Sequence, residues 1–310
     1  MIKRELDTTA VLDFLRDRYG PAVGEPVLLK GGAWSTAFAF TDGGRSLVVR
    51  FGSHPEDYEK DRVAGSWSRP HLPTPTVFEI GDAFGGAFAV SQRLRGDPID
   101  GLPPDRLAAA TRSLLRAREA LEGVEPPGHG YGMWRADNRR APHDRWADFL
   151  TAVPARDDDR LRGWRERLAE ATDAQRVFDA GQAALERLVH YCGDRRGVIH
   201  GDLLAGNVLV TRDDQISGVL DWGNSLVGDP LYDIAWLLFC RPWHPGIDAE
   251  LLRTWGRARP DTTHLDERLL CYQLHIALDS MQYQAFARHD DDLRTTTRAT
   301  IALLSEISTG

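Results

Sequence analysis

The sequence predicts an α+β chain of two lobes, a small antiparallel β lobe followed by a larger, mainly α lobe. Short runs rich in β-branched and aromatic residues, separated by glycine, proline and aspartate, occupy most of residues 1–93. Apolar residues with helical spacing dominate from residue 105 onward. Two further apolar runs, residues 198–199 and 208–210, enclose a polar loop. We therefore assign residues 1–93 to the N-terminal lobe and residues 94–310 to the C-terminal lobe.

The small lobe is predicted to hold one or two helices and a five-stranded, mostly antiparallel sheet. Val11, Leu15 and Tyr19 share one face of a helix over residues 8–19, which Gly20-Pro21 ends. Asp42-Gly43-Gly44 predicts a tight turn, so the strands on either side of it should form a hairpin. A charged helix is expected over residues 55–67, and strands over residues 26–29, 34–41, 46–51, 77–80 and 87–90.

The large lobe is predicted to be mostly helical. Residues 123–140 are rich in glycine, proline and charge, which is typical of a loop. The expected helices cover residues 105–121, 146–153, 164–171, 174–191, an apolar stretch ending at Phe239, and residues 249–257, 265–288 and 293–307.

Composition excludes several classes of protein. The 310 residues are 42% hydrophobic, as in a folded globular chain, and the net charge of -8 disfavours a nucleic-acid partner. The three cysteines, Cys192, Cys240 and Cys271, form no CxxC pair, which argues against a disulfide framework or a zinc site. The N-terminus lacks a signal-peptide core, and no apolar run is long enough for a membrane span. We expect a cytoplasmic protein, monomeric and without a membrane partner.

The most informative stretch is His200-Gly201-Asp202, followed by Asn207 and, after a second strand, by Asp221. This order is typical of the site at which kinases transfer a phosphoryl group. Asp202 would hold the attacking hydroxyl and accept its proton. Asn207 and Asp221 carry the hard oxygen ligands that Mg²⁺ prefers, and a short hairpin would bring them together. His200 either orients the loop by hydrogen bonding or fills space beside it.

An ordinary β-hairpin with polar loop residues is the alternative interpretation of this stretch. The tripeptide His-Gly-Asp alone is weak, because such tripeptides occur by chance. The whole stretch is more specific, because His200, Asp202, Asn207 and Asp221 occur in the order and with the intervening apolar strands that a phosphoryl-transfer site has. We therefore favour phosphoryl transfer over an ordinary hairpin.

Residues in the small lobe could bind the nucleotide. Residues 30–35 contain two glycines followed by Ser35, so backbone amides there could approach a phosphate. Arg50 lies near the end of the third strand, where a kinase carries the cation that holds the α- and β-phosphates. Glu56, Glu59 and Asp61 are candidate partners for Arg50, with Asp61 preferred. Gln92 and Leu94 lie where the chain crosses between the lobes, where backbone groups usually bind adenine.

Further motifs along most of the chain resemble the aminoglycoside phosphotransferases, a family with the protein-kinase-like fold. Arg241-Pro242-Trp243 and Leu278-Asp279 are similar to the hygromycin branch of that family, while the residue before Arg241, Cys240, and the loop residues Ala205 and Gly206 depart from it. The other motifs are Gly32-x-x-Ser35-x-Ala37-Phe38, Gly43-Gly44-Arg45, Val48-x-Arg50, Tyr58-x-Lys60-Asp61-Arg62, Leu72-Pro73-x-Pro75 and Gly228-Asp229.

This resemblance implies a role for each matching residue. Asp202 would be the catalytic base, Asn207 and Asp221 the Mg²⁺ ligands, and Arg50 the phosphate clamp, with ATP as the phosphoryl donor. The antibiotic would be met by acidic and aromatic side chains of the large lobe. The candidates are Asp229, Asp233, Trp243, Asp279 and Tyr283.

The leading hypothesis is therefore an ATP-dependent O-phosphotransferase that inactivates a hygromycin B-like aminocyclitol antibiotic. A second hypothesis keeps the chemistry but changes the acceptor to another sugar-containing antibiotic, such as a nucleoside antibiotic, or to a metabolite hydroxyl. A protein kinase is disfavoured, because an apolar helix follows Asp221 too closely to leave room for an activation loop. A non-catalytic nucleotide-binding module is disfavoured because Asp202, Asn207 and Asp221 are all present.

Overall fold

The computed structural model describes residues 5–30, 32, 34–155, 159–204 and 206–309. The chain divides into two compact units, which are discontinuous in sequence. Unit 1 comprises Met1–Val124, Arg135–Arg139 and Asp202–Ser225, and unit 2 comprises Glu125–Trp134, Arg140–Gly201 and Leu226–Gly310.

Eleven strands and ten α-helices lie in the part of the chain that the structure describes. The strands are β1 (Val27–Leu28), β2 (Ser35–Asp42), β3 (Arg45–Gly52), β4 (Val77–Ala83), β5 (Gly86–Gln92), β6 (Asp97–Pro98), β7 (Gly132–Met133), β8 (Gly197–Ile199), β9 (Val208–Val210), β10 (Ile216–Val219) and β11 (Leu226–Gly228). The helices are α1 (Thr8–Tyr19), α2 (Pro55–Gly65), α3 (Pro104–Glu122), α4 (Trp146–Thr151), α5 (Trp164–Glu170), α6 (Thr172–Leu188), α7 (Leu231–Phe239), α8 (Ala249–Arg257), α9 (Leu265–Ala287) and α10 (Asp290–Thr309).

A five-stranded antiparallel sheet forms the centre of unit 1, with the strand order β1-β2-β3-β5-β4. The predicted hairpin of β2 and β3 is confirmed, with Asp42 paired to Arg45 across the turn. Gly43 and Gly44 both have positive φ, 53° and 82°, a combination that side chains disfavour and that a two-residue hairpin turn requires. Local turn chemistry therefore sets the register of the two strands.

The hydrophobic core of unit 1 lies between α1 and one face of this sheet. Val11 and Leu15 of α1 are fully buried, as the helical spacing of apolar residues predicted. The sheet contributes alternate residues of its strands, because successive side chains of a strand point to opposite faces. The buried sheet residues of this core are Phe38, Phe40, Leu47, Val49, Phe51, Phe88 and Val90.

A second, three-stranded sheet in unit 1 has the order β10-β9-β6. The predicted hairpin of β9 and β10 is confirmed, with Val208 paired to Val219 and a register shift between Ile216 and Gly218. The two-residue strand β6 pairs with the far side of β9, and the sequence did not predict it. This sheet supports the loop that carries the candidate catalytic residues.

Unit 2 is mainly helical, as predicted for the large lobe. Helices α5, α6, α9 and α10 share a core that includes Trp164, Phe178, Leu278 and Met281. A small antiparallel sheet, β7-β11-β8, completes the unit. None of the helices in the described ranges combines the length and the hydropathy that a membrane crossing requires.

Candidate active site

Asp202 and Asn207 are joined directly in the loop before β9. The Asn207 side-chain amide donates to the Asp202 carboxylate at 2.9 Å and to the Asp202 carbonyl oxygen at 3.2 Å. The Asn207 backbone amide donates to Leu204 O at 2.8 Å, which closes the loop into a turn. Because its amide nitrogen is committed to Asp202, the side-chain oxygen of Asn207 is the atom available to a cation.

The hairpin of β9 and β10 brings Asp221 to the same end of the sheet as Asn207. The backbone amide of Leu220 donates to Asn207 O at 2.7 Å, one pair beyond the last paired residues of the two strands. Asp221 follows with φ of 58°, a left-handed conformation that is uncommon for residues other than glycine. The predicted convergence of Asn207 and Asp221 therefore follows from strand register.

Arg50 on β3 approaches this end of the hairpin and pairs with Asp61 of α2. The guanidinium also lies 3.8 Å from the Asp221 carboxylate and stacks over the Tyr58 ring at 5.0 Å. The other carboxylate oxygen of Asp61 accepts a hydrogen bond from Trp222 N at 2.7 Å. Arg50 and Asp61 therefore connect the sheet, α2 and the segment after Asp221.

The sequence left three acidic residues of α2 as possible partners of Arg50, and the structure distinguishes among them. Glu59 pairs with Arg62 at the surface, at 3.0 Å, and Glu56 accepts a hydrogen bond from Ala136 N at 2.6 Å. Asp61, only 4% exposed, is the one that contacts Arg50. Asp61 is the partner because it lies on the face of α2 that is directed toward the sheet.

Burial, with neighbouring negative charge, raises the pKa of two carboxyl groups. Burial, and then the charge of Asp221, raise the pKa of Asp202 to about 7, although the hydrogen bond from Asn207 opposes the shift. Burial raises the pKa of Asp221 to about 6; Arg50 opposes this, while Asp61 and Asp57 add to it. The Asp221 side chain is 47% exposed, so solvent screens the interactions that shift its pKa. A cation bound nearby would stabilise the ionised form of both carboxyl groups.

The predicted nucleotide-binding residues lie in unit 1. Ser35 begins β2 and pairs with Gly52 of β3, two residues after Arg50. Gln92 ends β5, and its backbone amide donates to Thr76 O at 2.9 Å. Leu94 packs beside Gly218 of β10. Of the predicted glycine loop the structure describes Gly32, whereas Gly31 and Ala33 lie outside the described residues, as does Ala205 of the catalytic loop.

Asp233 of α7 organises the chain just before Asp202. Its two carboxylate oxygens accept hydrogen bonds from His200 N at 3.1 Å and Gly201 N at 2.9 Å. Asp233 and His200 are both fully buried. Burial therefore argues against the predicted contact of Asp233 with a substrate and against direct catalysis by the His200 ring.

Asp229, a predicted substrate residue, is buried in an ion pair with Arg268 of α9. Tyr272 donates to the same carboxylate at 2.7 Å, and Leu231 N donates to its other oxygen at 3.1 Å. The side chains of Arg268 and Asp229 are 3% and 1% exposed. The prediction that Asp229 contacts the substrate is therefore corrected: its carboxylate caps α7 and compensates a buried arginine.

We expect Arg268→Met to destabilise the protein by about 3–5 kcal/mol, because it leaves the Asp229 carboxylate buried without its cation. The double variant Arg268→Met/Asp229→Asn should recover most of this loss, since both charges are then removed. Urea unfolding followed by circular dichroism measures the difference. Arg257→Met, which breaks an exposed pair with Glu250, is the control and should cost less than about 1 kcal/mol. A single variant as stable as this control would contradict the prediction.

Trp243 and Tyr283, two other predicted substrate residues, each contact a residue that the sequence did not indicate as part of a site. The Trp243 indole donates to Asp292 at 3.2 Å, and the Tyr283 ring packs edge-on against His289 at 5.7 Å. His289 Nδ1 lies 3.9 Å from Asp292. The acidic run 290–292 was the available signal in the sequence, but such a run is typical of an ordinary helix start. Asp279 lies one turn before Tyr283 on α9.

This arrangement is typical of a kinase-like phosphotransferase. Arg50 on a strand is paired with Asp61 on a helix, Asp202 is bonded to Asn207 on a loop, and Asp221 follows the hairpin of β9 and β10. The chain belongs to the phosphotransferase enzyme family (APH), whose sequence signature matches residues 27–267. The family and fold predictions are thereby confirmed, as is the prediction of an enzyme that transfers a phosphoryl group to an alcohol.

Two characterised phosphotransferases are similar to this chain in sequence. The chain is 28% identical to the hygromycin-B 4-O-kinase of Escherichia coli over 298 residues, which cover 94% of this chain and 84% of the relative. It is 37% identical to the viomycin phosphotransferase of Streptomyces vinaceus over 176 residues, which cover 52% of this chain and 54% of the relative.

Solved structures show the same likeness over nearly the whole chain. A thermostable mutant of aminoglycoside phosphotransferase APH(4)-Ia, in a ternary complex with AMP-PNP and hygromycin B, superposes with a TM-score of 0.83 at 26% identity. The match covers 96% of this chain and 98% of that one. Spectinomycin phosphotransferase APH(9)-Ia, at 11% identity and a TM-score of 0.63, shares the fold.

Proposed function

We propose that this protein transfers the γ-phosphoryl group of ATP to a hydroxyl of an aminocyclitol antibiotic, with hygromycin B as the first candidate. The observation that carries the proposal is the hydrogen-bonded pair of Asp202 and Asn207 on the same sheet end as Asp221. The similarity to hygromycin-B 4-O-kinase, which covers 94% of this chain, supports the choice of acceptor. We propose a monomer that acts in the cytoplasm.

In this proposal ATP binds the N-terminal lobe, residues 1–93, and the acceptor binds the C-terminal lobe, residues 94–310. Arg50 contacts the phosphates, because its pairing with Asp61 holds the guanidinium rigidly beside Asp221. Ser35 contacts the phosphates as well, and Gln92 and Leu94 border the adenine.

Asn207 and Asp221 fit a Mg²⁺ ion, because they present an amide oxygen and a carboxylate, the hard oxygen ligands that this cation prefers. A bound cation would also offset the burial that raises the pKa of Asp221. Mg²⁺ commonly takes one or two protein ligands and completes its shell with water and phosphate oxygens. A bound Mg²⁺ would neutralise charge on the phosphates during transfer.

Asp202 carries the acid–base step. Its carboxylate accepts the proton of the acceptor hydroxyl while the hydroxyl oxygen forms a bond to the γ-phosphorus. The bond between that phosphorus and the oxygen bridging to the β-phosphate breaks, and ADP leaves with the bonding electrons. Asn207 holds the Asp202 side chain in place through the bond at 2.9 Å.

Trp243, Asp279 and Tyr283 are proposed to contact the antibiotic, with Asp292 and His289 beside them. Aromatic faces suit the sugar and cyclitol rings, and carboxylates suit the protonated amines of such an antibiotic. The hydrogen bond from Trp243 to Asp292 and the packing of Tyr283 on His289 support this group as one surface of unit 2.

The test is ADP release in the presence of ATP and Mg²⁺ with a panel of hygromycin B, viomycin, spectinomycin, a nucleoside antibiotic and choline. We expect turnover with hygromycin B, with mass spectrometry showing one added phosphate. Viomycin is the second candidate, because the matched half of its phosphotransferase is 37% identical to this chain. Turnover with another member alone would replace the proposed acceptor, and ATP binding without transfer to any acceptor would contradict the proposed reaction.

Arg50→Met should raise the KM for ATP by about 10-fold or more, because one charge-assisted contact to the phosphates is lost. Arg50→Lys retains the charge without the planar fork, so we expect an intermediate KM. Steady-state ADP release over a range of ATP concentrations measures both. Arg45→Met, at an exposed pair on the same strand, is the matched control and should leave the KM unchanged. An unchanged KM in Arg50→Met would remove Arg50 from the phosphate site.

A further inference from the structure

Lys60 is the residue of α2 that precedes Asp61, and it is almost completely buried, with 2% of its surface exposed. Its ammonium group donates hydrogen bonds to Gly223 O at 2.9 Å and to Ser225 O at 3.3 Å. Lysine is rarely buried unless its charge is compensated by specific partners. Those partners belong to the segment that directly follows the candidate metal ligand Asp221, and this location suggests a role beyond packing.

Lys60 and Asp61 hold this segment from two sides. Asp61 accepts the hydrogen bond of Trp222 N at 2.7 Å, while Lys60 donates to the carbonyl oxygens of Gly223 and Ser225. The adjacent side chains of Lys60 and Asp61, which have opposite charge, thus bind backbone groups of a short 3₁₀ turn, residues 222–224, and of Ser225, which follows it. The turn is fixed to α2 in both position and direction.

Asp221 needs such support, because its backbone is held in the left-handed region at φ of 58°. Aspartate adopts this conformation more readily than most residues other than glycine, but the conformation is still sparsely populated, so contacts of the following residues help to hold it. The turn also packs closely on α2: a side chain at Gly223 would meet Asp57 at 2.9 Å. Any relaxation of residues 222–225 would therefore let Asp221 rotate away from its position near Arg50.

We propose that Lys60 is a positioning residue that holds Asp221 in its metal-binding conformation through the backbone of residues 222–225. The inference rests on the proposed function, in which Asp221 binds Mg²⁺ with the nucleotide. In this proposal Lys60 acts through the backbone and is not itself a ligand of the metal or of the phosphates. Residues that orient a metal ligand commonly change metal affinity about 10–100-fold when they are replaced.

The experiment measures binding of AMP-PNP by calorimetry over a series of Mg²⁺ concentrations, so that no acceptor and no turnover are required. Lys60→Met, which keeps the length of the side chain and removes the donor, should raise the Mg²⁺ concentration for half-maximal binding about 10-fold or more. Affinity without Mg²⁺ should change less than about twofold. Lys60→Gln keeps one neutral donor and should show a smaller shift. Arg62→Met, at an exposed position of the same helix, is the matched control and should bind as wild type does.

The outcomes are distinct. A folded Lys60→Met or Lys60→Gln variant with the wild-type Mg²⁺ dependence would overturn the inference, as would an equal loss of affinity with and without Mg²⁺, which a purely structural role predicts. If Lys60→Met does not fold, the shift in Lys60→Gln decides. Failure of the proposed function looks different: the wild type would bind AMP-PNP with Mg²⁺ yet phosphorylate no acceptor of the panel.

Discussion

Asp202→Asn should lower kcat with hygromycin B by about 10²–10⁴-fold, the usual contribution of a general base. The amide cannot take the proton of the attacking hydroxyl, but it has the same shape and can still bond to Asn207, which lies 2.9 Å from the carboxylate in the wild type. We therefore expect the KM for ATP to change little. Coupled measurement of ADP release under saturating ATP and antibiotic checks the rate.

Asp213→Asn is the matched control, because Asp213 is an exposed aspartate in the turn of the same β9–β10 hairpin. It should retain the full rate. If Asp202→Asn turned over as fast as Asp213→Asn, Asp202 would not be the base, and the acid–base step would have to be assigned elsewhere.

Asp202→Asn should also change stability in a pH-dependent way when Mg²⁺ is removed with EDTA. The pKa of Asp202 is raised from 3.8 to about 7 in the folded protein, so its ionisation is easier in the unfolded chain. The folded state therefore loses stability as the pH rises through this interval, and the loss is complete above about pH 7. We expect the variant to melt a few degrees higher than wild type at pH 8 and equally at about pH 4, where both carry a neutral group. An equal melting temperature at pH 8 would show that Asp202 ionises normally.

Local signals account for the parts of the fold that the sequence predicted well. The turn at Gly43-Gly44 and the apolar face of α1 lie within a few residues of the structures they determine. Strand β6 could not be predicted, because its two residues become a strand only by pairing with Val210 and Leu209, more than 100 positions later. Strands β7 and β11 were missed for the same reason, since each owes its existence to a distant partner.

The same distinction holds for the site. Asp202, Asn207 and Asp221 could be predicted together because one hairpin brings them close. The partner of Arg50 depended on the phase of α2 against the sheet, which the composition of that charged helix does not determine. Lys60 was missed because a lysine in such a helix normally faces solvent. Asp229 was misassigned because its compensating Arg268 lies 39 positions away, so nothing nearby in the sequence indicated burial.

Asp221→Asn should reduce kcat by about 10²–10³-fold, the range found when one preorganised electrostatic contact to a transition state is removed. Asparagine tolerates the left-handed backbone found at position 221, so the variant loses a charge while the turn is preserved. Asp214→Asn is a closely matched control: Asp214 also has positive φ, 55°, and pairs with an arginine, Arg106 at 2.8 Å, outside the site.

Two further readouts separate a metal ligand from a structural aspartate at position 221. The Mg²⁺ concentration for half-maximal activity should rise in Asp221→Asn and stay unchanged in Asp214→Asn. In the metal-free protein, kept so with EDTA, the pKa of Asp202 should fall in Asp221→Asn, because the charge of Asp221 raises that pKa and the variant removes the charge. The pH dependence of the melting temperature measures this shift. A lower rate with neither shift would mean that Asp221 supports the fold of the hairpin rather than the metal. If the Mg²⁺ requirement and the pKa of Asp202 both change, the Asp221 carboxylate must interact with the cation and with Asp202. The register of the hairpin makes this possible, because the hydrogen bond from Leu220 N to Asn207 O, at 2.7 Å, holds Asp221 at the same end of the sheet as Asn207.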